Sequence, residues 1–341
     1  PNLGEAYINC IEVSPHDPDR VYVVAMKYKF NNFEPLVYLS EDKGATWRKI
    51  TRGIDAEHFI RVVREDPVRP GLLYGGSERG FYISFDNGLR WQSFQLNLPV
   101  CPITDLKVQG NDLIAATSGR SFWILDGLSP LRQIEDNIIQ RAHLFGPEPA
   151  IRYLADLPDE PVYGLGENPP NGMQIAYYLP EALDSFRLQL EVLDAFGNTL
   201  RTFTNEVPET TDTYEGGPKP EPILPACRGL NVFHWDLRRE PMPGVPNVFI
   251  LGDYKGSLVP PGQYRIRLTT PYGVLKSDAV LRADPRLIAP QEAYLAQQEL
   301  LLSIESAVRE VHQSIQHMRN VKQQVKQLHA NLKQIDCTQE I

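Results

Sequence analysis

The sequence predicts a mainly β chain in three parts: a run of short-stranded repeats, a second β unit built as a sandwich, and a helical tail. Three observations predict this. An eight-residue signature occurs twice in the first hundred residues, seven further strand-like segments follow a Pro-rich joint, and after residue 290 the apolar residues change from alternation to steps of three and four.

The signature is Ser40-Glu-Asp42-Lys-Gly44-Ala-Thr46-Trp47 in the first copy and Ser84-Phe-Asp86-Asn-Gly88-Leu-Arg90-Trp91 in the second. Both read Ser-x-Asp-x-Gly-x-x-Trp, and each lies between two short β-patterned runs, 36–39 before 47–50 and 81–83 before 91–94. Each is therefore expected to be a hairpin turn. An Asp two residues ahead of a Gly can accept bonds from turn amides while the Gly takes the positive φ, and the Trp closes the turn by packing between neighbouring sheets. The repeat reaches further back, because Asp17-Pro precedes the first signature and Asp66-Pro the second. A third unit has segments at 103–108 and 113–117, then Ser121-Phe-Trp-Ile-Leu-Asp126-Gly127, whose Asp-Gly stands in place of the full turn. Four short strands per unit at a spacing of roughly 40 to 50 residues is the pattern of propeller blades.

These residues resemble the Asp-box (BNR) repeat β-propellers, and Ala115-Ala-Thr-Ser-Gly-Arg120-Ser-Phe-Trp-Ile-Leu-Asp126 looks like the last blade of large exported bacterial proteins of the sortilin-type and glycosyl-hydrolase-like group. The resemblance covers about residues 8 to 135. It implies a secreted, periplasmic or cell-envelope location. Three blades do not close a ring that needs at least four, and the chain opens at Pro1 directly into the strand-like run 7–13, so upstream blades are expected as partners within the same protein. The expected limits of this part are residues 1–140.

The second part is expected over 147–285, after Gly146-Pro147-Glu-Pro149. Its strand-like segments are 150–153, 174–178, 188–193, 200–203, 231–237, 263–269 and 274–280, with Asp194-Ala-Phe-Gly197-Asn198 as a hairpin turn. Alternation in Val232-Phe-His-Trp-Asp-Leu237 puts Phe233, Trp235 and Leu237 on the core face and Val232, His234 and Asp236 on the other. About seven strands with an inward Trp predict an Ig-like sandwich. The segments 229–236 and 258–264 resemble fibronectin-type and flagellar hook-cap domains. Residues 206–225, rich in Pro, Gly, Thr and Glu, are expected to be a long solvated loop.

The third part, 287–341, carries a coiled-coil-like apolar stripe of Leu301, Ile304, Val308, Val311, Ile315, Met318, Val321, Val325, Leu328, Leu332 and Ile335. The 3-3 step through Ile315, Met318 and Val321 predicts either a bend or a break between two helices. So narrow a stripe is expected to be buried against another copy, a returning helix or the sandwich, with self-association or a helical partner through 290–335. The intervening Gln, Lys and His residues are expected to form a solvated face.

With 43 acidic against 34 basic residues and a formal charge of −9, a basic nucleic-acid surface is excluded. No run of about 18 apolar residues is present to span a membrane. Cys10, Cys101, Cys227 and Cys337 have neither disulfide-framework nor zinc spacing, and no cofactor or metal motif is found.

The signature residues Ser40, Asp42, Gly44, Thr46 and Trp47, with Ser84, Asp86, Gly88 and Trp91, are read as structural, because the turn accounts for them. In a four-stranded blade these turns share one face with the first connection, while the second connection and the link to the next blade share the other. That other face carries the binding candidates Tyr28, Glu78, Arg79 and Arg120, whose ring, carboxylate and guanidinium groups suit a glycan or a protein or peptide ligand. The competing expectation is that Glu78, Arg79 and Arg120 merely pair with one another. No catalytic residue is identified. A glycoside hydrolase of xyloglucanase or sialidase type remains the alternative, with its second acid outside this sequence, because hydrolysis needs two carboxylates about 5 to 9.5 Å apart.

Overall fold

A computed structural model describes residues 3–135, 140–153, 166, 168–183, 186–206, 217–246 and 253–338, the side chains of 334–338 excepted. The chain divides into two compact units, Pro1–Ile134 and Glu135–Ile341.

The first unit is propeller-like: consecutive antiparallel sheets, each running up and down in sequence order. Sheet one is β1 (Tyr7–Val13), β2 (Val21–Lys27), β3 (Asn32–Ser40) and β4 (Arg48–Lys49), and sheet two is β5 (Ile60–Glu65), β6 (Leu73–Ser77), β7 (Phe81–Ser84) and β8 (Gln92–Ser93). Sheet three has only β9 (Ile103–Gln109), β10 (Asp112–Thr117) and β11 (Phe122–Leu125). The expected fourth strand of this unit is replaced by the short helix α1 (Ser129–Gln133), because Leu128 and Leu131 turn into the core instead of continuing the sheet.

Burial follows from this stacking. The middle sheet is covered on both faces, so every residue of β6 and β7 is buried, whereas β1 and β9 bury only part of their length. Two adjacent glycines in β6 make the close approach possible. A Cβ at Gly75 would lie 2.9 Å from the Trp91 ring, and one at Gly76 would lie 2.7 Å from Ile103 Cγ2 and 2.8 Å from Val62 Cγ1. Asp66 is an anchor that spacing alone did not reveal. Fully buried, it accepts bonds from the amides of Val68 and Arg69 (both 2.8 Å), the Tyr74 hydroxyl (2.9 Å) and the Arg132 guanidinium (3.0 Å). The last of these ties α1 to sheet two. Satisfying a buried carboxylate in this way avoids the large cost of an unpaired charge.

The second unit has two sheets around one core. β12 (His143–Leu144), β14 (Met173–Leu179) and β17 (Gly229–Trp235) form the smaller, and β13 (Ala150–Arg152), β19 (Gly273–Ala283), β18 (Gly262–Thr270), β15 (Gln189–Leu193) and β16 (Thr199–Thr204) the larger. β13 pairs parallel to β19 and all other pairs are antiparallel. Phe233, Trp235 and Leu237 are buried, as alternation predicts. The Trp235 indole donates to the Arg238 carbonyl at 2.9 Å and meets Tyr264 edge-on at 5.8 Å. β12, too short for periodicity to reveal, was not expected. Of the expected loop at 206–225, residues 207–216 lie outside the described ones, and 217–225 have no regular structure.

The tail is one uninterrupted helix, α2 (Gln291–Thr338), so the step through Met318 introduces no break. At 1.5 Å per residue its 48 residues span about 72 Å. Among the described residues the apolar stripe is not fully covered within the chain itself. Ile304, Val311, Met318, Val321, Val325, Leu328 and Leu332 are exposed, and the buried positions are Tyr294, Glu305 and His312. The helix instead docks through polar side chains on backbone groups of 240–246 and on Ser257. Glu305 Oε1 accepts the Ser257 amide (2.5 Å), the His312 ring meets the Pro243 carbonyl (2.8 Å), and Gln316 donates to Gly244 O (2.9 Å). Arg309 donates to the Glu240 and Pro241 carbonyls and Arg319 to that of Pro246. The polar residues expected to be solvated thus include those that dock the helix.

Candidate binding face

The two signature turns are built by their own side chains. In the first, Ser40 Oγ donates to Asp42 Oδ1 (2.8 Å) and accepts the Gly44 amide (2.8 Å), while Asp42 takes the Thr46 amide (2.8 Å) and hydroxyl (2.5 Å). In the second, Ser84 and Asp86 repeat the pattern with the amides of Gly88 (2.9 Å) and Arg90 (2.9 Å). Lys43 and Asn87 stand at φ 57° and 58°, and Gly44 and Gly88 at 91° and 80°. The Thr46 hydroxyl and amide hold the Asp42 carboxyl below the ordinary carboxylate range. Every carboxylate oxygen so engaged is an acceptor already in use by the turn.

On the opposite face, the structure joins two of the four candidates through residues that sequence reasoning missed. The chain after β2 makes a tight 3-10 turn, Tyr28–Phe30, closed by Asn31 in the left-handed region. This lays the Tyr28 ring on Phe59 at 5.3 Å and 9° between planes, and Phe33 is tilted against the same Phe59 ring at 6.3 Å. Phe59 is buried and Phe33 is 44% exposed. The Arg61 guanidinium lies 5.2 Å from the Phe59 ring centre and forks onto Glu78 Oε2, at 2.6 Å from Nε and 2.5 Å from the terminal nitrogen. The Glu78 amide in turn donates to the Phe59 carbonyl at 3.1 Å. Ring, guanidinium and carboxylate therefore form one fixed cluster between sheets one and two.

The expected mutual pairing of Glu78, Arg79 and Arg120 does not occur, because Arg61, on the irregularity between Ile60 and Val62 of β5, reaches Glu78 first. Arg79 and Arg120 are exposed and make no ion pair among the described residues. Arg120 bonds the carbonyl of its neighbour Gly119 at 3.3 Å. Beside the cluster, Tyr7 and Phe30 stack at 6.1 Å with Lys29 Nζ 4.6 Å from the Tyr7 ring centre, which extends the aromatic surface outward. His58 Nδ1 meets the Tyr82 hydroxyl at 2.7 Å, and burial raises the Tyr82 phenol above its ordinary range. The pairing of Ile60 with Ser77 across the β5–β6 hairpin was the one signal that could have placed Arg61 near Glu78.

Chemically, the face offers rings for stacking and a fixed acceptor–donor pair for hydroxyl or amide groups. Among the described residues no group of three or more His, Cys, Asp or Glu is disposed to hold a metal ion. Cys10, Cys101 and Cys227 carry free thiols.

No protein-family model matches the chain, and no curated protein matches it. Among solved structures, a GH74 enzyme of Niastella koreensis is similar at 17% identity and a TM-score of 0.29, over 35% of this chain and 21% of that one. YCF48 bound to D1 peptide is similar at 14% identity and a TM-score of 0.29, over 37% of each chain. PorZ, a surface component of the type-IX secretion system of Porphyromonas gingivalis, is similar at 10% identity and a TM-score of 0.27, over 81% of this chain and 38% of that one. The chain thus spans between 21% and 38% of the length of these structures. Among the described residues no helix is long and apolar enough to cross a membrane.

Proposed function

We propose that this chain is a non-catalytic binding and architectural module of an exported Asp-box propeller protein, and that the Tyr28–Phe59–Arg61–Glu78 cluster is a glycan subsite. The observation that carries this is the aromatic pair set beside a forked carboxylate. A pyranose presents a face of C–H groups to a ring and hydroxyls at its edge, which is what Tyr28 and Phe33, next to Glu78 and Arg61, are suited to meet. The signature turns have the bonding expected of an Asp-box and serve as hairpin closures. Further blades would cover the apolar residues Ile8, Ile11 and Val13 that β1 leaves exposed.

In this reading the second unit is an Ig-like spacer, which the two-sheet core around Trp235 supports. The exposed apolar side of α2, with Ile304, Val311, Met318, Val325 and Leu332 seven residues apart, serves self-association or a helical partner.

Glycoside hydrolysis is the alternative. It requires a second carboxylate about 5 to 9.5 Å from the first, supplied from outside the cluster, since Glu78 is committed to Arg61. Reducing-sugar release from plant, host and microbial glycans by the complete parent protein, compared with this chain and with the parent carrying Glu78→Gln, separates the two. Glycan retention without release supports the binding module, and release abolished by the substitution establishes the hydrolase.

A further inference from the structure

The second unit carries a polar pocket that the glycan reading of the first unit does not use. It lies at the edge of the larger sheet, where β16 is the last strand. Leu224 donates to the Thr204 carbonyl at 2.9 Å and Glu240 to that of Leu200 at 3.0 Å, so the chain returns to β16 both before and after β17. Beside these crossings is a pocket of about 420 Å³, within the range of small-molecule sites, ~300 to 1,000 Å³.

The most buried side chains lining it are Arg201 and Tyr254, 5% and 3% exposed. Each is held in place by neighbours and yet keeps one polar atom unused. Arg201 spends its terminal nitrogens on the Arg239 carbonyl and on Glu221 Oε2, both at 2.5 Å, and its guanidinium lies 5.1 Å from the Phe203 ring centre. Its Nε has no hydrogen-bond partner among the described residues. The Tyr254 carbonyl accepts the Met242 amide at 2.8 Å, and its ring centre lies 5.9 Å from that of His312. The Tyr254 hydroxyl is likewise without a partner. Native proteins seldom leave buried polar groups unsatisfied, so two of them on one pocket point to a ligand that completes their bonding.

Charge decides the class of that ligand. Arg201, Lys219 and Lys255 line the pocket together with Glu221, Asp236 and Asp253, three positive groups against three negative ones. An anion would meet the carboxylates and a cation the guanidinium, so neither is favoured. A hydroxyl suits both kinds of group, because it accepts from an Nε–H and donates to a carboxylate. Asp236 is placed to receive it: Oδ1 takes the Arg238 amide at 3.2 Å and Oδ2 is left for a ligand. Pro218, Pro220, Pro222 and Pro241 supply a stiff C–H wall.

We infer that this pocket is a second ligand site, and that it takes a neutral polyhydroxylated molecule, a single sugar residue, whose hydroxyls bond Arg201 Nε, Tyr254 Oη and the Asp236 carboxylate. The site is independent of the Tyr28 cluster and makes the second unit more than a spacer.

Nitrogen-edited NMR of the full chain tests this through the Arg201 Nε–H, a signal local to the pocket and indifferent to binding at Tyr28. The probes are glucose, galactose, mannose and xylose, with glucuronate as the anion, glucosamine as the cation and N-methylacetamide as the amide. At least one neutral sugar should shift the signal saturably, and the last three probes should not. Tyr254→Phe removes only the unpartnered hydroxyl. It should weaken that sugar about three- to tenfold, the worth of one hydrogen bond, with thermal unfolding unchanged or raised, because nothing in the free protein bonds the hydroxyl. Asp236→Asn, which keeps the shape of the side chain, should also weaken it. An Arg201 signal silent to all four sugars would overturn the inference. So would a response to glucuronate, glucosamine or N-methylacetamide as strong as that to the sugars, or unchanged sugar affinity in Tyr254→Phe.

Discussion

The Trp91 indole donates to the Ile50 carbonyl at 2.8 Å, a bond that crosses from sheet two to sheet one, whereas the Trp47 indole bonds Gly44 O in its own turn at 2.9 Å. One signature thus performs two tasks. The second copy fastens neighbouring sheets and leaves Trp91 buried, while the first closes only its hairpin and leaves Trp47 half-buried. Trp91→Ala should cost about 3 to 5 kcal/mol of first-unit stability, and Trp47→Ala about 1 kcal/mol. Urea unfolding followed by first-unit probes checks this, and equal losses would contradict it.

Asp86 accepts the Ser84 hydroxyl and the Arg90 amide and touches nothing on the binding face. Asp86→Ala should therefore destabilise the first unit by about 1 to 2 kcal/mol, as the loss of a cap does, and leave ligand affinity unchanged at temperatures where the protein is folded. An affinity change with the fold intact would give the turn a functional role.

How much of this was legible follows from the range of the interactions. The turns around Asp42 and Asp86 could be read because all their bonds close within eight residues, and the core face of β17 because alternation is local to Phe233, Trp235 and Leu237. Tyr28 and Glu78 were read as candidates from loop placement. Their link was not, because Arg61 lies 17 residues from Glu78 and comes to it through a hairpin register with an irregularity at that point. The docking face of α2 was missed for a related reason. Periodicity locates apolar stripes, but Glu305 accepts the Ser257 amide and the His312 ring meets the Pro243 carbonyl, partners 48 and 69 residues away.

The second unit should soften in acid. Arg267 forks onto Glu191 at 2.6 and 2.5 Å, and those hydrogen bonds hold the Glu191 carboxyl below its ordinary 4.5. A depressed folded value means that the stabilisation is fully present above the unfolded value and is lost as pH falls through the folded one. Arg267 is partly exposed, so the pair is worth about 1 to 2 kcal/mol. Glu191→Gln should show that deficit at about pH 7, and the gap to the parent should close towards about pH 3. A gap independent of pH would refute the assignment.

The exposed heptad on α2 should report on self-association. Replacing Met318 and Val325 by Glu puts two charges on the face that also carries Val311 and Leu332, away from the side chains that bond residues 240–246 and Ser257. If copies pair through this face, sedimentation equilibrium of the parent gives a mass above that of one chain and the double variant returns to one. A parent that sediments as a single chain at all concentrations would leave the face to a different helical partner.

The central claim is the glycan subsite at Tyr28, Phe59, Arg61 and Glu78. The most direct measurement is retention on an array of plant, host and microbial glycans by the parent chain and by Tyr28→Ala, with circular dichroism confirming the same fold. The subsite predicts a defined set of retained glycans whose binding falls about three- to tenfold on loss of the ring, since stacking of this kind is worth about 0.5 to 1.5 kcal/mol. No retained glycan, or retention indifferent to Tyr28, would contradict it.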